Sequence, residues 1–134
     1  MFTKFKFTRR QTENYFKAAS RDLKIARQSD VPEVIFRFSY DALLKLAIVV
    51  CAQTNLRVKS RRGHHIELIE KLAALLKDSE IGIIGDEMRL KRNLDLYGGG
   101  ILISQKQASE YLEWVRKVFS KAERYLKKNP KLPI

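Results

Sequence analysis

Few residues of this chain are of a type that does chemistry, and those few are mainly basic. Its two histidines, His64 and His65, are adjacent and are followed by Glu67 and Glu70. Neighbours on a helix point about 100° apart, so the pair lacks the i, i+4 geometry with which a helix holds zinc. One histidine is expected to pack inward at a helix start. The single cysteine, Cys51, sits inside an apolar run. Neither a disulfide nor a cysteine zinc site can be built from it within one chain. The triple glycine from Gly98 to Gly100 lacks both a preceding strand and the Lys-Ser/Thr of a phosphate loop. It reads as a helix stop and linker. No serine stands on a strand-to-helix elbow. The expectation is no metal and no cofactor.

The segment with the most chemical content runs from Asp86 through Arg89, Arg92, Asn93 and Asp95 to Tyr97. On a helix Arg89, Arg92, Asn93 and Leu96 share one side, while Leu90, Leu94 and Tyr97 share the neighbouring apolar side. Polar and buried faces would then meet near Asn93. Arg92 offers a planar fork of donors for phosphate or carboxylate, and Asn93 a neutral donor and acceptor beside it. Equally, the arginines could pair with Asp86, Glu87 or Asp95 on the surface. A second basic cluster, Lys59, Arg61 and Arg62, lies just before the histidines. Lys and Arg number 27 against 15 Asp and Glu, a formal charge of +12. Such a charge favours polyanions, nucleic acid before anionic membrane, and a solvated basic surface is the plain alternative.

These residues must be positioned by helices. The chain has 134 residues, 45% of them apolar, which suits one domain with one core. Three prolines and few glycines leave long unbroken stretches. Phe16, Ala19, Leu23 and Ala26 mark one face of a first helix, from about Thr8 to Gln28. Ser29-Asp30-Val-Pro-Glu33 is a start signal for a second, with an N-cap candidate, a proline and an early acid. That helix runs to about Gln53 and is apolar around most of its circumference, so it is the expected centre; Lys45 and its length argue against a membrane span. Residues 54–62 read as a basic loop. A third helix places His65, Ile69, Leu72 and Leu76 on one face. Asp78 to Gly85 reads as a connector, and a fourth helix is expected from about Gly85 to Tyr97. Ala108, Tyr111, Val115, Val118, Ala122 and Tyr125 form the stripe of a fifth, from about Ser104 to Lys128. The expected fold is all-α, a four- to five-helix up-and-down bundle over residues 8–128. An extended Phe-rich arm precedes it at 1–7, a tail follows at 129–134, and no strand is expected. The N-terminus lacks the apolar core of a signal peptide, so a cytoplasmic location is the expectation, with no membrane partner.

The order of these features resembles the HEPN domain superfamily, nucleotide-binding helical bundles of higher eukaryotes and prokaryotes. The features are a long first helix, the run Phe36-Arg-Phe-Ser-Tyr-Asp-Ala-Leu-Leu-Lys-Leu-Ala47, the basic loop, Gly63-His64-His65, then Arg89-Leu-Lys-Arg92-Asn93-Leu-Asp-Leu-Tyr97. The resemblance spans about Thr8 to Lys128. It implies a bundle that often forms a homodimer and is tied to RNA cleavage, RNA binding or a companion nucleotidyltransferase in toxin-antitoxin systems. Ribonuclease members carry an arginine, a polar residue and, four to six residues on, a histidine. Arg92 and Asn93 match the first two. Four intervening residues lead to Tyr97 instead, and no histidine follows Arg92. Tyrosine, with a pKa near about 10, is a poor proton shuttle at neutral pH. The resemblance thus implies a non-cleaving module that binds RNA, a nucleotide or a nucleotidyltransferase partner. Arg92 and Asn93 would lie in a dimer cleft, Arg89, Lys59, Arg61 and Arg62 would extend the positive field, and Tyr97 would brace the helix. The alternative is a metal-independent endoribonuclease toxin in which folding brings His64 or His65 beside Arg92. A purely structural bundle is the third reading.

Overall fold

In a computed structural model, residues 2–58, 64–97 and 103–129 are described, with 95–97 described by backbone alone. Five helices account for nearly all of the described structure: α1 (Arg9–Gln28), α2 (Pro32–Gln53), α3 (His64–Leu76), α4 (Ser79–Tyr97) and α5 (Gln105–Lys128). The chain is an all-α bundle. α1 and α5 begin at capping boxes, in which Thr8 with Gln11 and Ser104 with Gln107 exchange side-chain and backbone bonds. α2 begins differently from the start signal in its sequence. Neither Ser29 nor Asp30 caps it; Val31 holds the N-cap position without a side-chain bond, and Pro32 opens the helix. Proline at the first position presets φ and removes one of the amides that a cap would have to satisfy.

α2 is the central element. Phe36, Tyr40, Leu43, Leu46 and Val50 are almost wholly buried, and α1, α3, α4 and α5 all pack on it. α1 runs antiparallel to it, with Asp22 against Lys45. The carboxylate of Asp22 is buried and accepts from Lys45 Nζ at 2.5 Å. α3 starts beside Tyr40, near the beginning of α2, so the connection after α2 carries the chain back along the bundle. Two short strands, β1 (Phe2–Lys4) and β2 (Leu56–Val58), pair antiparallel where no strand was expected, with Thr3 opposite Arg57. The arm is extended as its pattern suggests, but it is held down. Phe5 N–H donates to the Asn55 carbonyl, Arg57 stacks over the Phe5 ring, and Phe7 is buried.

The largest departure concerns α4. It begins at Ser79, so the stretch read as a connector is helix, and Gly82 and Gly85 lie inside it. Of the two, Gly85 serves packing. A Cβ on Gly85 would lie 2.6 Å from Ile69 Cγ2, so α3 and α4 approach too closely for any side chain at that point. The face also differs. Ile81, Gly85 and Met88 form the buried row, and continuing it at the same spacing leads to Arg92. Leu90 and Leu94, read as the apolar side, are 51% and 57% exposed. Among the described residues no helix is long and apolar enough to cross a membrane.

Candidate functional site

The buried row of α4 explains where its arginines go. Arg92 is half-buried at the inner edge of the helix, and its Nη1 is buried with no hydrogen-bond partner among the described residues. A buried donor without an acceptor costs on the order of 1 to 3 kcal/mol, and a charged one such as a guanidinium nitrogen costs more. Arg89, one turn earlier, has a side chain only 18% exposed, and its Nε donates to Asp86 Oδ1 at 2.8 Å. Of the surface pairings open in the sequence, Arg89 adopts one; Glu87 instead accepts from the Tyr111 hydroxyl.

α3 delivers the histidines to the same place. His65 Nδ1 lies 3.2 Å from the Tyr40 hydroxyl, and the His64 and His65 rings meet edge to face with centroids 4.3 Å apart. Burial lowers the pKa of His65 first, and the charges of His64, Arg92 and Arg89 lower it further. At neutral pH the imidazole is therefore neutral. Burial drives the Tyr40 hydroxyl upward against the pull of Arg89 and Arg92, so it too stays neutral. Asp41, next along α2, is raised by burial and by Asp22, while Arg92 opposes the rise. The electrostatic reach of Arg92 thus spans Tyr40, Asp41 and His65, three groups from two other helices.

Arg89, Arg92, His65 and the adjoining His64 are brought together from positions more than twenty residues apart. Asn93 is not part of that junction in this chain: it is exposed, because the helix turns its neighbour inward and leaves it facing water. Lys59, Arg61 and Arg62, and the side chain of Tyr97, lie outside the described residues. Tyr40 and Asp41 were missed. Their signal was available, since polar residues Tyr40, Asp41 and Lys45 interrupt an otherwise apolar helix.

Guanidinium groups within electrostatic reach of a neutral imidazole are of the types that bind a phosphodiester, the arginines supplying charge and the imidazole a hydrogen bond, although Arg89 is already paired with Asp86. At neutral pH His65 can accept a proton but has none to give beyond its one ring N–H. Among the described residues no group of three or more His, Cys, Asp and Glu could hold a metal ion. No protein-family model matches the chain, and no curated protein and no solved structure matches it either.

Proposed function

We propose that this chain is a HEPN-like RNA-binding module that holds a phosphodiester where α2, α3 and α4 meet. The observation that carries the reading is Arg92, whose Nη1 is buried without an acceptor while Arg89 and a neutral His65 lie within electrostatic reach. An anionic oxygen would supply the missing acceptor. The net charge of +12 would draw the polyanion in and make affinity fall with salt. A homodimer would set two such sites near each other, and the exposed Ile83, Leu90 and Leu94, on one side of α4, support a self-association surface there. A nucleotidyltransferase remains the companion that the resemblance implies.

The test is fluorescence anisotropy of a labelled single-stranded RNA in EDTA. Arg92→Ala should weaken binding roughly tenfold, the size of one charge-assisted phosphate contact, with an unchanged helical circular dichroism spectrum. An unaltered binding curve across salt would remove Arg92 from the site. The placement of His65 near Arg92 favours one second reading, the endoribonuclease. Neutral His65 would take the proton of a 2′-hydroxyl, whose oxygen attacks the adjacent phosphorus. The 5′-oxygen would leave, and a 2′,3′-cyclic phosphate would remain. RNA cleaved by the wild type and left intact by His65→Ala would replace the binding reading with this one.

A further inference from the structure

α1 and α5 both rest on the central helix yet barely touch each other. The groove between them has two compartments, of about 840 and 360 Å³, joined at Phe16 and Glu123. It extends from Thr12 to Gln28 along α1, roughly 24 Å at the rise of a helix. Six cations rim it: Lys24, Arg27, Arg116 and Lys117 in the larger compartment, and Lys17 and Lys127 in the smaller. Three carboxylates, Glu13, Glu113 and Glu123, oppose them. Two of these are already used, Glu13 by Arg9 and Glu113 by Arg116. The smaller compartment is mostly apolar, over Phe16, Val49 and Leu126, while the larger is mostly polar, with Phe16, Leu23 and Phe119 set among Ser20, Gln28, Ser120 and the charged rim.

We propose that this groove docks an acidic amphipathic helix of a partner protein. A groove with an apolar stretch between cationic rims takes an apolar stripe at i, i+3, i+4 and i+7, with carboxylates on either flank. Its length fits about 16 helical residues. A nucleic acid is a poorer occupant, because stacking needs exposed ring faces and Phe119 is only 5% exposed. The small compartment, moreover, is floored by Phe16, Val49 and Leu126 where a strand would need phosphate contacts. A second copy of this chain, with 15 Asp and Glu against 27 Lys and Arg, offers few carboxylates to meet this cationic rim. The proposal does not depend on the RNA reading, since none of the residues lining the groove belongs to the junction of Arg89, Arg92 and His65.

The probe is a labelled 18-residue synthetic helix with leucine along one stripe and glutamate elsewhere. Its control is a scrambled peptide of identical composition. The amphipathic peptide should bind at least about tenfold tighter than the scrambled one. Arg27→Glu with Lys117→Glu should remove most of that affinity, while Arg92→Ala leaves it unchanged. Amide shifts on peptide addition should fall on α1 and α5. Equal binding of the two peptides, or indifference to the charge reversal, overturns the proposal. So does a charge reversal that weakens RNA binding and spares the peptide, which would assign the groove to nucleic acid.

Discussion

Replacing Gly85 with alanine tests the contact that positions the arginines. Glycine inside a helix costs about 1 kcal/mol relative to alanine, so propensity alone favours Gly85→Ala by that amount. The added Cβ, however, would lie 2.6 Å from Ile69 Cγ2 and 3.6 Å from its Cγ1 and Cδ1. Carbons pack comfortably at about 3.5 to 4.0 Å, so roughly 1 Å of overlap must be relieved. Ile69 is 1% exposed and β-branched, which leaves its Cγ2 little room to rotate away. Overpacking of this kind costs about 1 to 3 kcal/mol, and the net expectation is a loss of about 1 kcal/mol. Gly82→Ala is the internal control. Its Cβ would meet only Ala73 Cβ at 3.9 Å, an ordinary contact, so the propensity gain of about 1 kcal/mol should survive. The two variants should therefore differ by about 2 kcal/mol, or roughly 6 °C in Tm for a domain of this size. Urea unfolding followed by the single tryptophan, Trp114, whose Nε1 donates to Glu80 at 2.9 Å, reads both. Gly85→Ala should also weaken RNA binding, because Arg89 and Arg92 ride on the segment that must move. Equal stabilisation by the two alanines would refute the close approach of α3 and α4.

Three further outcomes follow from the geometry. Asp22→Asn should cost about 2 kcal/mol in urea unfolding, at the low end for a broken buried ion pair because the Lys45 side chain is 32% exposed; Asp22→Leu with Lys45→Met should recover most of it. For His65 the fold favours the neutral form, so its stabilising preference is fully present above the unfolded value of about 6.5 and is lost as pH falls below it. NMR titration should place His65 below that value, and RNA affinity should be flat from neutral pH upward and rise in acid, a rise that His65→Ala removes. Burial pushes the Cys51 thiol up to about 12, so a thiol reagent should modify the native chain only at the rate of unfolding, and fast modification of the folded state would contradict its burial.

How much of this was legible differs between elements for identifiable reasons. α1 and α5 were readable because their apolar stripes are regular and their caps are local: Thr8 with Gln11 and Ser104 with Gln107 lie within one turn. The start of α4 was not, because glycine reads as a breaker wherever no partner is visible. What requires glycine at 85 is Ile69 on another helix. The same blindness inverted the face of α4. Leu90 and Leu94 look like core by composition, yet the buried row is set by what α3 and α2 present. The strand pair escaped notice because Phe2 and Val58, more than fifty residues apart, supply each other's ladder bonds.

The candidate site divides along the same line. Local pattern marked Arg92 either as an anion-binding guanidinium or as a surface ion-pair partner, and His64-His65 as a helix start, since residue type and i, i+3 spacing are properties of the chain itself. The sequence likewise determined an all-helical bundle centred on the apolar second helix. Only the tertiary structure decided that His65 meets Tyr40, that Arg92 turns inward with Nη1 unsatisfied, and that Asn93 faces water. Those outcomes depend on the rotation and spacing of α4 against α3. That geometry is set by close packing between side chains distant in sequence, which no local periodicity encodes.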